Sequence, residues 1–163
     1  AANVTSKEDL LSTLYYDFGT HSQNKFVADW FEFNLNINNL LTALACRKHG
    51  FDIKPAIVGN NEVAKTIRTS NTHDFNLSGI FEPVEAIIAI SENPNLLERE
   101  KAIDNLKWNW LEEHTFFNYF TIERVLAFYL RCELLHRWDN LTLENGQAIF
   151  RQLLEDLKKD VKL

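Results

Sequence analysis

The sequence has no methionine, and only two cysteines, three prolines and five glycines among its 163 residues. Each scarcity removes a class of protein. Cys46 and Cys132 lie far apart in apolar segments, so there is no disulfide framework; both are expected to be small buried hydrophobes. The five glycines are dispersed and no G-x-x-x-x-G-K occurs, which excludes a glycine-rich phosphate cradle, Gly59-Asn60-Asn61 included. No nucleophile elbow is present. No run reaches the roughly 18 to 20 apolar residues of a membrane span. Basic clusters are also scarce. The formal charge is −6 and no basic stripe of the kind that binds duplex nucleic acid is visible. Lys158, Lys159 and Lys162 read as a cation-rich last turn that complements a helix dipole. The lack of methionine, with Ala1-Ala2 at the start, is expected of a processed chain or of the C-terminal portion of a longer protein.

Period-two alternation is nearly missing as well. The one alternating run, Phe31, Phe33, Leu35 and Ile37, sits inside helical sequence without turn signals and is assigned to a helix. What is present is helical periodicity in a chain that is 45% hydrophobic. Thr5-x-x-Glu8 has the form of a capping box, Leu10, Leu11, Leu14, Tyr15 and Phe18 follow at helical spacing, and Gly19 is expected to stop that helix. A long helix is predicted over 22–49, ended by Gly50. It carries four asparagines, Asn34, Asn36, Asn38 and Asn39; Asn34 and Asn38, one turn apart beside an apolar stripe, form either a solvated face or a partly buried polar seam fixing the register of a neighbouring helix. A connection over 51–60, a short helix over 62–69, a polar turn-rich stretch over 70–79 and a helix over 84–90 behind Pro83 come next. Asn95 then caps a long helix with Leu96, Ile103, Leu106, Trp110 and Leu111 on its inner side. Helices over 121–138 and from Thr142 onward complete the chain. The last has a clean apolar stripe of Ile149, Phe150, Leu153, Leu154, Leu157 and Val161. The expectation is an all-α bundle of six to seven helices with two long central helices, forming one domain over 1–163. Asn-x-Ser/Thr tripeptides at Asn3, Asn76 and Asn140 carry no weight in an asparagine-rich chain.

The segment from Thr121 to Trp138 is apolar on most faces, so other helices are expected to surround it. Tyr129 and Glu133 sit one turn apart on it. Glu133-x-x-His136 has the spacing of a di-metal ligand pair, but such a site needs a second E-x-x-H and two further glutamates. No second E-x-x-H exists, so no metal site is assigned. Glu112, Glu113 and His114 read as a polar helix end. Arg68-Thr69-Ser70-Asn71 is either a polar recognition loop built on Arg68 and Asn71 or a helix end with turn residues. Trp108 and Trp110, with Phe116, Phe117, Tyr119 and Phe120, are mostly core, and a surplus there marks a protein interface.

Two segments resemble the C (or d) subunit of archaeal- and vacuolar-type rotary ATPases. One holds Glu32, Asn34-Leu35, Leu40-Leu41, Ala43, Arg47-Lys48, Gly50 and Gly59. The other reads Leu126-Ala127-Phe128-Tyr129-Leu130-Arg131-Cys132-Glu133. The whole chain is similar to an uncharacterised bacterial family found with V-type ATP synthases of the Bacteroides type. The resemblance implies packing roles for Asn34, Leu35, Arg47, Gly50, Tyr129 and Glu133. It also implies a non-catalytic coupling subunit without cofactor, seated between the membrane rotor ring and the central stalk. Such a subunit is cytoplasmic, peripheral to the inner membrane, and meets the membrane only through the complex. The competing readings are a helical enzyme with a metal held by Glu133 and His136, and a helical adaptor with an unrelated partner.

Overall fold

The computed structural model describes residues 7–139 and 141–160. Among these the chain is all-α, with seven α-helices and no strand. They are α1 (Lys7–Thr20), α2 (Lys25–His49), α3 (Glu62–Thr69), α4 (Val84–Glu92), α5 (Leu96–Thr115), α6 (Ile122–Asp139) and α7 (Leu143–Asp160), with a 3₁₀ turn at Lys54–Ala56. The two longest are α2 and α5. Contacts cluster into two compact units, Ala1–Trp110 and Leu111–Leu163. The proposed capping box at Thr5, Val161, Asn3 and Asn140 lie outside the described residues.

In the first unit α2 is the axis. Asn24 caps its start, its side-chain oxygen accepting the Val27 N–H at 3.2 Å. Gly50 ends it in the left-handed region at φ 73°, where its N–H and that of Phe51 reach back to the Arg47 and Cys46 carbonyls. Phe33, Ile37, Leu40 and Ala43 recur at one-turn steps and form the buried edge. Against them pack Val63, Ala64 and Ile67 of α3, Val84, Ile87 and Ile88 of α4, Ile103 of α5 and the loop residues Ile57, Phe75, Leu77 and Phe81. Trp110 closes this core. Its ring stacks on Phe33 at 5.2 Å and lies 5.4 Å from Trp30 and 5.7 Å from Phe26.

The turn over 72–78 is built by Asp74. Its carboxylate accepts Ser78 Oγ at 2.6 Å, Thr72 Oγ1 at 2.9 Å and the Asn76 N–H at 3.0 Å, which holds Asp74 well below the usual carboxylate range. Phe75 and Asn76 take positive φ there, and Phe75 is fully buried beneath the Arg47 guanidinium, 3.8 Å from the ring centroid. Arg47 also donates to the Thr72 and His73 carbonyls at 2.8 and 3.0 Å.

Gly19 does not stop α1, which continues to Thr20. A Cβ on Gly19 would lie 1.8 Å from the Phe31 ring, so the glycine is there to let α2 approach. Leu96 is not on the inner side of α5 but largely exposed, because it opens the helix ahead of the turn that reaches the core. Cys46 is buried as expected, whereas Cys132 is exposed on α6; both are free. No described helix is long and apolar enough to cross a membrane.

Candidate interaction surface

The second unit has a different character. Its only buried residues among those described are Leu111, Thr115 and Ala127. The end of α5 is tied to α6 by Arg124, which donates to the Thr115 carbonyl and hydroxyl, each at 3.2 Å. Thr115 Oγ1 in turn donates to the Leu111 carbonyl at 2.6 Å. Arg131 of α6 pairs with Glu112 of α5 at 3.0 Å. These polar ties set α5 and α6 in register without a large apolar interface.

The apolar side chains here face outward. In the turn between α5 and α6, Phe116, Phe117 and Tyr119 are exposed, and Phe120 is fully exposed at φ 58°. A bulky residue held in the left-handed region without burial is an uncommon arrangement. The aromatic region was expected to be mostly core with a surplus at an interface; these four residues are exposed, while Trp110 is packed in the core of the first unit. On α6, Ile122, Val125, Phe128, Tyr129 and Leu135 are exposed and only Ala127 is buried. The expectation that other helices surround this segment does not hold within the described residues.

Helix α7 is the clearest case. Thr142 caps it, accepting the Asn145 N–H at 3.2 Å. From Glu144 to Lys158 every side chain is exposed. Ile149, Phe150, Leu153, Leu154 and Leu157 form one stripe, with Gln152, Glu155, Asp156 and Lys158 away from it. Within the second unit, neither α6 nor the end of α5 packs extensively on α7 among the described residues. A lone helix of this length is marginal in water, since most helical stability comes from burying the apolar face.

The other candidate residues fall in three places. On α6, the Tyr129 hydroxyl donates to Glu133, and this hydrogen bond, helped by the carboxylate charge, raises the phenol above its ordinary value. His136 is exposed near the helix end, and among the described residues no three His, Cys, Asp or Glu side chains converge as a metal site. Trp108 is half-buried on α5, while Trp110 lies in the aromatic stack of the first unit.

Arg68 and the asparagines form a polar clasp. The Arg68 guanidinium donates to the Ile57 and Gly59 carbonyls, both at 2.7 Å, and to Asn60 Oδ1 at 3.3 Å; Asn71 is exposed beyond it. The buried polar seam is formed by Asn36 and Asn39; of the expected pair, Asn38 reaches the neighbouring helix α1 and Asn34 does not. Asn34 bonds only back to the Trp30 carbonyl, at 2.8 Å. Asn39 donates to the Val58 carbonyl at 2.8 Å and accepts its N–H at 2.9 Å. Asn61 donates to Asn36 at 2.8 Å and to Glu32 at 2.9 Å while capping α3 through Ala64. The seam fixes the 57–61 loop on α2. Asn38 bonds the Tyr16 hydroxyl of α1. Leu35 is buried between these contacts.

The family described as "Protein of unknown function (DUF2764)" matches residues 1–161. This chain belongs to that family. No curated protein and no solved structure matches the chain.

Proposed function

We propose that this chain is a non-catalytic coupling subunit of a V-type ion-translocating ATPase, in the position of the C (or d) subunit. It docks on a larger protein partner through the apolar face of its C-terminal unit. The observation that carries the reading is α7, whose stripe from Ile149 to Leu157 is exposed along its length. Two further features support it. The turn aromatics and α6 add to the same unit's exposed apolar area. The segments around Glu32–Gly50 and Leu126–Glu133 carry the resemblance to rotary ATPase subunits. Exposed contiguous apolar surface of this extent marks an interaction site, and a part that transmits force between larger subunits needs such surfaces rather than a reaction centre. Association with the membrane is then indirect, through the rotor ring and the central stalk.

The test is retrieval of the tagged native protein from its own membranes in mild detergent, with mass spectrometry of what accompanies it. Rotor-ring and stalk subunits are expected with the wild type and are expected to be lost with Phe150→Asp/Leu154→Asp. Their absence from the wild-type sample would sink the assignment to a rotary ATPase. Their equal retention by the variant would move the docking surface away from α7.

A further inference from the structure

A second feature, independent of the reading above, lies wholly within the first unit. Helix α1 and the loop over 56–61 stand as two walls on α2, and the trough between them holds two adjoining clefts of about 600 and 390 Å³. Both clefts share Tyr16, Leu35 and Val58, so they are halves of one groove. Their size is that of ligand-binding clefts.

The halves differ in chemistry. The half toward the start of α1 carries no charged side chain; Leu11, Tyr15, Leu35, Ala56 and Val58 line it beside the polar Ser12, Asn38, Asn39 and Thr42. The half toward the end of α1 carries the carboxylates of Asp17 and Glu32. Neither half is lined by any lysine or arginine; His21, on the salt-bridge partner Asp17, is the one residue there that can carry positive charge. The walls are held in place before any partner arrives. Arg68 and Asn39 clamp the loop, Asn61 holds one oxygen of Glu32, and Asn38 holds Tyr16. Preorganised walls reduce the ordering cost of binding. A groove with an acidic end and an apolar end, in a chain of net charge −6, is complementary to a segment of opposite pattern.

We propose that this groove binds a partner-protein segment that places a lysine or arginine against Asp17 and Glu32 and an apolar side chain against Leu35, Ala56 and Val58. The carboxylates set the direction of the segment and the apolar half supplies the buried area. A nucleic acid or an anionic membrane surface is disfavoured by the same carboxylates.

The experiment is selection of a phage-displayed library of short amphipathic helical peptides on the full chain, followed by affinity measurement of the enriched peptides by fluorescence anisotropy. Enriched peptides are expected to carry a cation one or two turns from an apolar pair. Replacing that cation by glutamate is expected to weaken binding about tenfold or more. Asp17→Asn/Glu32→Gln should remove the preference for the cation, since both positions lie at the surface and the variant keeps its fold. Ala56→Trp, which fills the apolar half, and Leu11→Arg, at an exposed position, should each abolish binding; the second serves should the first disturb folding. The proposal is overturned if no peptide is enriched, if enriched peptides lack the cation, or if the carboxylate variant leaves the preference unchanged. It is overturned too if sedimentation shows a dimer that Leu11→Arg dissociates, for then the groove holds a second copy of the chain.

Discussion

Helices α2 and α7 are both striped by sequence, yet nine residues of α2 are buried, two of them asparagines, while α7 is exposed at every described side chain from Glu144 to Lys158. The difference does not lie in the hydrophobic residues themselves. Phe33, Ile37 and Leu40 on α2 are no more apolar than Phe150, Leu153 and Leu154 on α7. It lies in what surrounds them. Around α2 the chain supplies two short helices, a buried turn and a polar clasp, each fitted to a particular stretch. From Leu111 on it supplies, among the described residues, three buried residues and a few polar ties. A face that the chain does not cover stays in contact with solvent, and the two units differ in how much of their apolar surface they bury.

The comparison is sharpest where a core residue is cut away. Leu40→Ala is expected to destabilise the isolated chain by about 2–5 kcal/mol in urea unfolding, whereas Leu154→Ala should change it by only ~0.5 kcal/mol or less. Equal losses would mean that α7 is packed in solution, and the contrast between the units would collapse. Hydrogen exchange reads the same contrast without mutation: α7 amides should exchange ahead of α2 amides and become protected when the partner binds.

Next comes the polar clasp. Asn39→Leu strips both partners from Val58 and is expected to cost about 1–3 kcal/mol, with the loss visible in the same unfolding experiment. Gly19→Ala should follow. Crowding of the Phe31 ring is expected to outweigh the gain in helix propensity, leaving a net loss of about 1 kcal/mol. A stabilised Gly19→Ala would show that α1 shifts freely on α2.

The smallest effects are electrostatic. Asp74 is held below its usual range, so its contribution is present above the unfolded-state pKa of about 4 and is lost as pH falls through the lower folded value. Asp74→Asn should therefore flatten the stability profile of the first unit below about pH 4 and leave the exposure of α7 untouched. In the second unit the sign is opposite. Tyr129 is raised by Glu133, so the phenol should ionise later than a free tyrosine in an ultraviolet titration, and Glu133→Gln should bring it back down.

Much of the fold was legible before the structure. The helix over Glu62–Thr69, the αL stop at Gly50, the Asn95 cap and the helical reading of the alternating run at 31–37 all rest on local signals, and the structure has each of them. Gly19 was misread because a glycine that ends a helix and one that admits a neighbour look alike until the neighbour is placed. A polar seam at Asn34 and Asn38 was one of two readings; the buried asparagines are Asn36 and Asn39, and which ones turn inward depends on where the 57–61 loop lands on α2. Arg68 stood out in the sequence, and its clasp on Ile57, Gly59 and Asn60 was invisible because two of its three acceptors are backbone carbonyls, which leave no sequence trace. The aromatics around 108–120 were read as mostly core, and α6 as surrounded by other helices, because large apolar residues are usually buried. Nothing local records whether a covering surface belongs to the same chain.

The sequence by itself determined which segments are helical and which face of each is apolar, since capping, propensity and 3.6-residue periodicity act within a few residues. Only the tertiary structure decided which of those faces are covered. That outcome depends on loop lengths, close approaches such as Gly19 against Phe31, and hydrogen bonds such as Asn39 to Val58 between residues far apart in the chain. Burial is a property of the neighbours a face acquires, and no stretch of sequence carries its neighbours with it.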